Sequence, residues 1–210
     1  MMRSTWRDRD RDFQKRRPGG NTTKNDLAEA LHITQTDIKP IPGFNTKHEE
    51  SYYRAQHGID CDEVYPGIYI GDAATAKNKK YLQILGITHL LNCAEGKRFG
   101  FVNTDRSYYH DTSIRYLGLP LADVFTTDIS KYFYTAAEFI DDAVSRGGKA
   151  FVHCMLGISR SSTCVLAYLM IKKGMPATDA IRIVRKNRFI QPNHGFLQQL
   201  AQLDNQLRNQ

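Results

Sequence analysis

VHCMLGISRSS, residues 152–162, carries an apolar run to a His-Cys pair and then crosses Gly157 to reach Arg160, Ser161 and Ser162. A cysteine ending such a run is ordinarily a small hydrophobe, so its surroundings decide whether it does chemistry. Upstream, Ala150–His153 has the short, continuous apolar character of an interior strand. Downstream, residues 159–173 read as a helix stopped by Gly174. The local pattern is therefore strand, glycine-containing loop, helix.

The rest of the chain alternates in the same way. Tyr65-Pro66-Gly67 opens a strand through Ile68, Tyr69 and Ile70, and a helix over residues 73–85 stops at Gly86. Residues 87–93 (ITHLLNC) and 116–121 are apolar enough for interior strands. Asp128-Ile129-Ser130 begins a long amphipathic helix through Phe133, Ala136, Phe139, Ile140 and Val144, closed by Gly147-Gly148. Pro176 sits near the start of a further helix, and from about His194 a last helix repeats Phe196, Leu200, Leu203 and Leu207. Short apolar strands alternating with longer helices predict an α/β fold with a mostly parallel central sheet flanked by helices. Ligands on such sheets bind beyond the carboxyl ends of strands, where His153-Cys154 stands.

The chain has 210 residues, 41% of them apolar, enough for one domain and some extra length. Residues 1–20 hold seven Lys and Arg against three Asp, a charge of +4 that leaves +3 of the chain's +7 to the rest. Alternating Arg-Asp pairs in a low-apolar segment predict a solvated arm rather than a specific nucleic-acid site. The expected division is a disordered basic arm over residues 1–45, with a short helix at 25–33, and a folded domain over 46–210. That domain is expected to open near His48 or Glu49 with a short helix through Tyr53 and Ala55. Residues 1–13 lack the apolar region of a signal peptide, and the apolar run at 165–171 is too short to span a bilayer. A soluble cytoplasmic protein, with the nucleus as a second compartment, is the expectation. Cys61, Cys93, Cys154 and Cys164 lack metal-ligand spacing, which argues against zinc and for free thiols.

Among the four cysteines only Cys154 has an arginine six residues on, forming C-x5-R with Arg160. Alone that spacing is weak, and the strand before it, Gly157 inside it and the helix after it strengthen it. A loop wrapped on a helix N-terminus points backbone N–H groups and the positive dipole end into one concavity, which binds anions and stabilises a thiolate. Arg160 can offer parallel donors to a phosphate. Phosphoryl transfer to sulfur also needs an acid, and Asp123, just past a strand end, can reach the same edge of the sheet. Ser161 can hydrogen-bond the sulfur, while His153 fits orientation of the loop better than acid catalysis.

With these residues in place the chain resembles the cysteine-dependent protein tyrosine phosphatases, more narrowly the atypical, VHR-like dual-specificity phosphatases. The resemblance runs from about residue 61 to 207, through EVYPGIYIGDAATA, LGITHLLNCAEG, YLGLPLAD, VHCMLGISRS, LAYLMI and PNHGFLQQL. It implies a nucleophile at Cys154, phosphate binding by Arg160, assistance from Ser161, a general acid at Asp123 and a structural asparagine at Asn193. No cofactor is implied. The loop residues His153, Met155, Leu156, Gly157, Ile158 and Ser159 become the substrate-binding set, with Met155, Leu156 and Ile158 giving an apolar rim. Arg188 matches a basic position that can receive a second phosphate, the alternative being an ordinary solvated arginine at a helix end. Cys93 matches a position that in some relatives forms a reversible disulfide with the nucleophile, the alternative being an inert buried thiol. The implied partners are phosphoproteins, including doubly phosphorylated kinases, and a homodimer is left open. A phosphoprotein-binding module without turnover and a phosphatase for a non-protein ester are the competing functions.

Overall fold

The computed structural model of the chain describes residues 20–44 and 58–209. Residues 1–19 of the expected solvated arm, and the expected domain start near His48 or Glu49 with its short helix through Tyr53 and Ala55, lie outside the described residues.

Five strands form one mixed sheet: β1 (Cys61–Tyr65), β2 (Ile68–Gly71), β3 (His89–Asn92), β4 (Arg115–Gly118) and β5 (Ala150–His153), in the order β1-β2-β5-β3-β4. The β1–β2 pair is antiparallel and the other three pairings are parallel. The helices are α1 (Lys24–Ile33), α2 (Ala73–Lys77), α3 (Lys79–Leu85), α4 (Phe133–Ser145), α5 (Arg160–Lys173), α6 (Ala177–Asn187) and α7 (His194–Arg208).

Strand periodicity explains why both faces are covered. Ile68, Ile70, Leu91 and Val152 face the larger core, built with α1 and α4 to α7. Tyr69, Leu90 and Phe151, one residue out of phase, face the smaller core with α2 and α3. Helix α5 runs through the larger core, and every residue from Arg160 to Met170 is buried. A helix buried all round needs apolar residues on every face, which Cys164, Val165, Leu166, Leu169 and Met170 supply. It ends as its sequence predicts, at Gly174 with φ +64° and its N–H on the Leu169 carbonyl.

Several elements depart from the sequence reading. The single helix expected over 73–85 is two, because the Asn78 side chain accepts from the Tyr81 N–H and starts a new helix there. The amphipathic helix expected from Asp128 begins with a 3-10 turn at Ser130–Tyr132 and becomes α-helical at Phe133. Strand β1 escapes the pattern because consecutive Asp62 and Glu63 interrupt its apolar alternation.

The boundary at residue 45 also needs correction. Helix α1 is no part of a free arm: Thr23 caps it in a reciprocal box with Asp26, and Leu27, Ala30 and Leu31 are buried in the main core. The chain then runs as a strap from Thr34 to Phe44, with Ile41 buried in the opposite core and the Tyr81 hydroxyl donating to the Pro42 carbonyl. Buried Asp204 anchors the start of this segment, accepting from the Thr22 hydroxyl (2.5 Å) and the Ala177 N–H (2.9 Å). Replacing Leu31 by Ala should therefore cost about 2–5 kcal/mol of unfolding free energy. Urea denaturation measures this, and an unchanged midpoint would mean that α1 is not part of the folded body.

Candidate active site

The site lies where β5, β3 and β4 end. Strand β5 stops at His153, and residues 154–159 turn back to start α5. Alternation along β5 places His153 on the face of Phe151, whose ring lies 6.0 Å away, and Cys154 on the opposite face.

The loop is gripped from outside by its carbonyls. The His153 Nδ1–H donates to Cys154 O (3.0 Å) and the Ala73 N–H to Met155 O (3.1 Å). Arg188 donates from Nη2 to Leu156 O (3.1 Å) and from Nε to Gly157 O (2.9 Å). The Gln191 N–H donates to Ile158 O (2.9 Å), and the Thr163 N–H to Ser159 O (3.0 Å). Across a planar trans peptide the next N–H points opposite to the carbonyl, so outward carbonyls turn successive N–H groups inward. Gly157 permits the turn with φ +68°, and a Cβ there would sit 2.5 Å from Gly71 O.

Helix α5 begins at Ser159 with no side-chain cap, because the Ser159 hydroxyl donates to Asp123 Oδ1 (2.8 Å) instead. First-turn N–H groups and the helix dipole are thereby directed at the loop's centre. There the Cys154 thiol is only 2% exposed. Burial alone disfavours its ionisation. The Ser161 hydroxyl at 3.4 Å, the Arg160 charge and the N–H groups of Ser161 and Ile158 outweigh that, so its pKa is lowered.

Arg160 is 4% exposed and anchored by one nitrogen, Nη1 donating to Gly100 O (2.9 Å) and Leu121 O (3.0 Å). Its Nε has no hydrogen-bond partner and lies 3.5 Å from Asp123 Oδ2. A buried guanidinium edge left uncommitted suits a phosphate that supplies the missing acceptors. Asp123 Oδ1 also accepts from Asn193 Nδ2 (2.9 Å), and the Asn193 N–H donates to Ser159 Oγ (3.3 Å). Asn193 caps α7 through Oδ1 as well, so its side chain joins that helix to the carboxylate while its backbone N–H holds the loop. A pocket of about 460 Å³ opens above Cys154, lined by Asp123, Arg160, Ser159, Asn193 and the apolar Met155, Leu156, Ile158 and Phe99.

Three members of the sequence-based substrate set stand elsewhere. His153 is fully buried and turned from the pocket; burial lowers its pKa to about 4, against the pull of the Cys154 carbonyl, so it is a neutral orienting group. Gly157 shapes the loop rather than lining the pocket. Arg188 fits neither alternative. It is 5% exposed rather than solvated. All five of its N–H donors are taken: two by Leu156 O and Gly157 O, two by Asp60 and one by Asp62. A second phosphate could bind only by displacing carboxylates, so Arg188 is a positioning residue. Sequence reasoning missed Asp60 and Asp62; the one signal was Asp60 and Asp62 spaced two apart, which puts them on one side of an extended chain. Cys93 follows β3, and its N–H donates to His153 O (2.8 Å), which sets it beside Cys154. Burial first, then contact with Cys164, raises its pKa well above the ordinary value. Among the described residues no group of three or more His, Cys, Asp or Glu could hold a metal ion, and no helix is long and apolar enough to cross a membrane.

Residues 68–206 match the family model described as dual specificity phosphatase, catalytic domain. A solved structure of a human tyrosine phosphatase-like serine/threonine/tyrosine-interacting protein is 35% identical, with TM-score 0.60, covering 68% of this chain and 94% of that one. DUSP15 is 31% identical with TM-score 0.59, covering 72% of this chain and 96% of that one. Human DUSP28 is 25% identical with TM-score 0.62, covering 70% and 95%.

The Ser161 hydrogen bond stabilises only the thiolate, so removing it raises the Cys154 pKa. In Ser161→Ala the midpoint of iodoacetamide alkylation against pH should move upward by about one to two units. An unmoved midpoint would exclude Ser161 from the thiolate's support.

Proposed function

Because the chain belongs to the dual-specificity phosphatase catalytic-domain family, we propose that it hydrolyses phosphotyrosine and phosphoserine or phosphothreonine side chains through a cysteinyl phosphate on Cys154. The observation that carries this reading is a thiol with lowered pKa beside a buried arginine whose Nε is uncommitted, with a carboxylate 3.5 Å from that nitrogen.

A phosphate bound in the loop takes Nε of Arg160 and the inward N–H groups, and the Nε contact with Asp123 Oδ2 is released. The Cys154 thiolate attacks phosphorus in line, forming the S–P bond as the P–O ester bond breaks. Asp123 gives its proton to the departing oxygen. It then takes a proton from water, whose oxygen attacks phosphorus as the S–P bond breaks. The Ser161 hydroxyl receives the returning thiolate. An apolar rim with a single ring, Phe99, suits side chains of different length, which is the basis for dual specificity.

Binding without turnover is the alternative, raised by the human relative described as phosphatase-like and interacting. Cys154, Arg160 and Asp123 line one pocket and the Ser161 hydroxyl lies 3.4 Å from Cys154 Sγ, which favours turnover. Arg160 is the one basic residue lining the pocket among the described residues, which favours a single phosphate ester over a highly anionic lipid headgroup.

Steady-state rates on matched phosphotyrosine and phosphothreonine peptides and on a phosphoinositide test the reading. Wild type should turn over both peptides, Cys154→Ser neither, and Asp123→Ala should lose about 10²- to 10⁴-fold in kcat. No peptide turnover, or turnover of the lipid alone, would sink it. The placement of Cys93 supports a second part of the proposal: peroxide converts Cys154 to a sulfenic acid, and the Cys93 thiol displaces water to give a disulfide. Peptide mapping of peroxide-treated protein should find the Cys93–Cys154 linkage, and its absence would remove that part.

A further inference from the structure

Beside the catalytic pocket lies a larger cleft of about 600 Å³, and Ile158 belongs to the lining of both. Its far wall is the strap, at residues 36–39. The Thr36 hydroxyl donates to Arg185 O (2.7 Å), the Asp37 N–H to Lys186 O (2.9 Å), and Lys39 Nζ to Asn187 Oδ1. These residues precede the 68–206 span matched by the family model.

Three of the ten residues lining the cleft, Ile38, Ile158 and Phe189, are large and apolar. Ile38 is fully exposed although its neighbours are tied to α6, Asp37 through its backbone N–H and Lys39 through its side chain. Phe189, braced by the Arg185 guanidinium 3.9 Å above its ring, is 53% exposed. Across the shared Ile158, Leu156 and Phe99 are exposed at the catalytic mouth. Large apolar groups held in water around one opening mark a contact surface, and this one is continuous with the catalytic pocket. The charges of the cleft say what it rejects. Asp37, Asp60 and Asp62 line it against Lys39 and an Arg188 whose donors are all committed. A phosphate entering here would be desolvated beside carboxylates without a compensating donor fork.

We propose that the strap completes a substrate subsite, lined by Ile38, Ile158 and Phe189, that receives an apolar side chain near the phosphorylated residue and excludes a second phosphate. The proposal rests on the phosphatase reading for the identity of its occupant, a phosphoprotein segment.

The test uses phosphotyrosine peptides in an alanine background, with one leucine or one second phosphoresidue stepped through the flanking positions. Affinity is measured on Cys154→Ser protein and kcat/KM on wild type. In one register leucine should improve both by about tenfold over alanine. A second phosphate should improve neither in any register. Ile38→Asp should abolish the leucine gain while leaving the unfolding midpoint and the hydrolysis of para-nitrophenyl phosphate, which has no flanking residues, unchanged. Equal affinity for leucine and alanine throughout, a gain from a second phosphate, or a leucine gain that survives Ile38→Asp would overturn the subsite. If wild type hydrolyses no phosphate ester, the phosphatase reading fails separately, and the affinities on Cys154→Ser protein still decide the subsite.

Discussion

Outward capture of the loop carbonyls from Cys154 to Ser159 is the constraint on which the active site depends. A free six-residue loop would rotate its peptides to satisfy N–H and C=O groups alike with water, and no concentrated field would result. Here the donors on the outside come from separate elements: His153 on β5, Ala73 at the start of α2, Arg188 after α6, and Gln191 before α7. Once the carbonyls face outward, planarity turns the amides inward and supplies a preorganised positive lining. The donors need no reorganisation when charge develops, which is where such sites gain most over water.

The same arrangement accounts for Arg188 and the two aspartates at the start of β1, Asp60 just before it and Asp62 within it. A buried guanidinium is costly unless every donor is satisfied. Asp60 and Asp62 satisfy three N–H groups, and the loop carbonyls satisfy the other two. One cation thereby joins the edge strand to the phosphate loop, and its opposing carboxylates place negative charge outside the catalytic pocket. Arg160, in the pocket, is held by one nitrogen, and its Nε makes no hydrogen bond, with Asp123 Oδ2 3.5 Å away. Two arginines of similar burial are thus separated in role by where their donors are committed.

Much of this was legible in residues close in sequence. C-x5-R after an apolar tetrapeptide, Gly157 inside the loop and Gly174 after α5 follow from local backbone rules, and the structure meets them with positive φ at both glycines. The strands β2, β3 and β5 are short apolar runs because both of their faces are covered. Strand β1 was not legible, since Asp62 serves a partner 126 residues away and thereby breaks the alternation that marks a strand. The packing of α1 was not legible either: Leu27 and Leu31 signal a helix, but nothing near them says that α6 and α7 leave a face for it.

By itself the sequence determined the strand, loop and helix start that hold a thiol and a guanidinium together, because these stand at fixed spacing along one loop and need only local geometry. Tertiary structure alone decided which carboxylates neutralise Arg188, that Asn193 and Ser159 converge on Asp123, and that the strap walls a cleft beside the pocket. Those pairings join residues 36 to 149 positions apart, and sequence spacing does not encode which distant donor meets which acceptor.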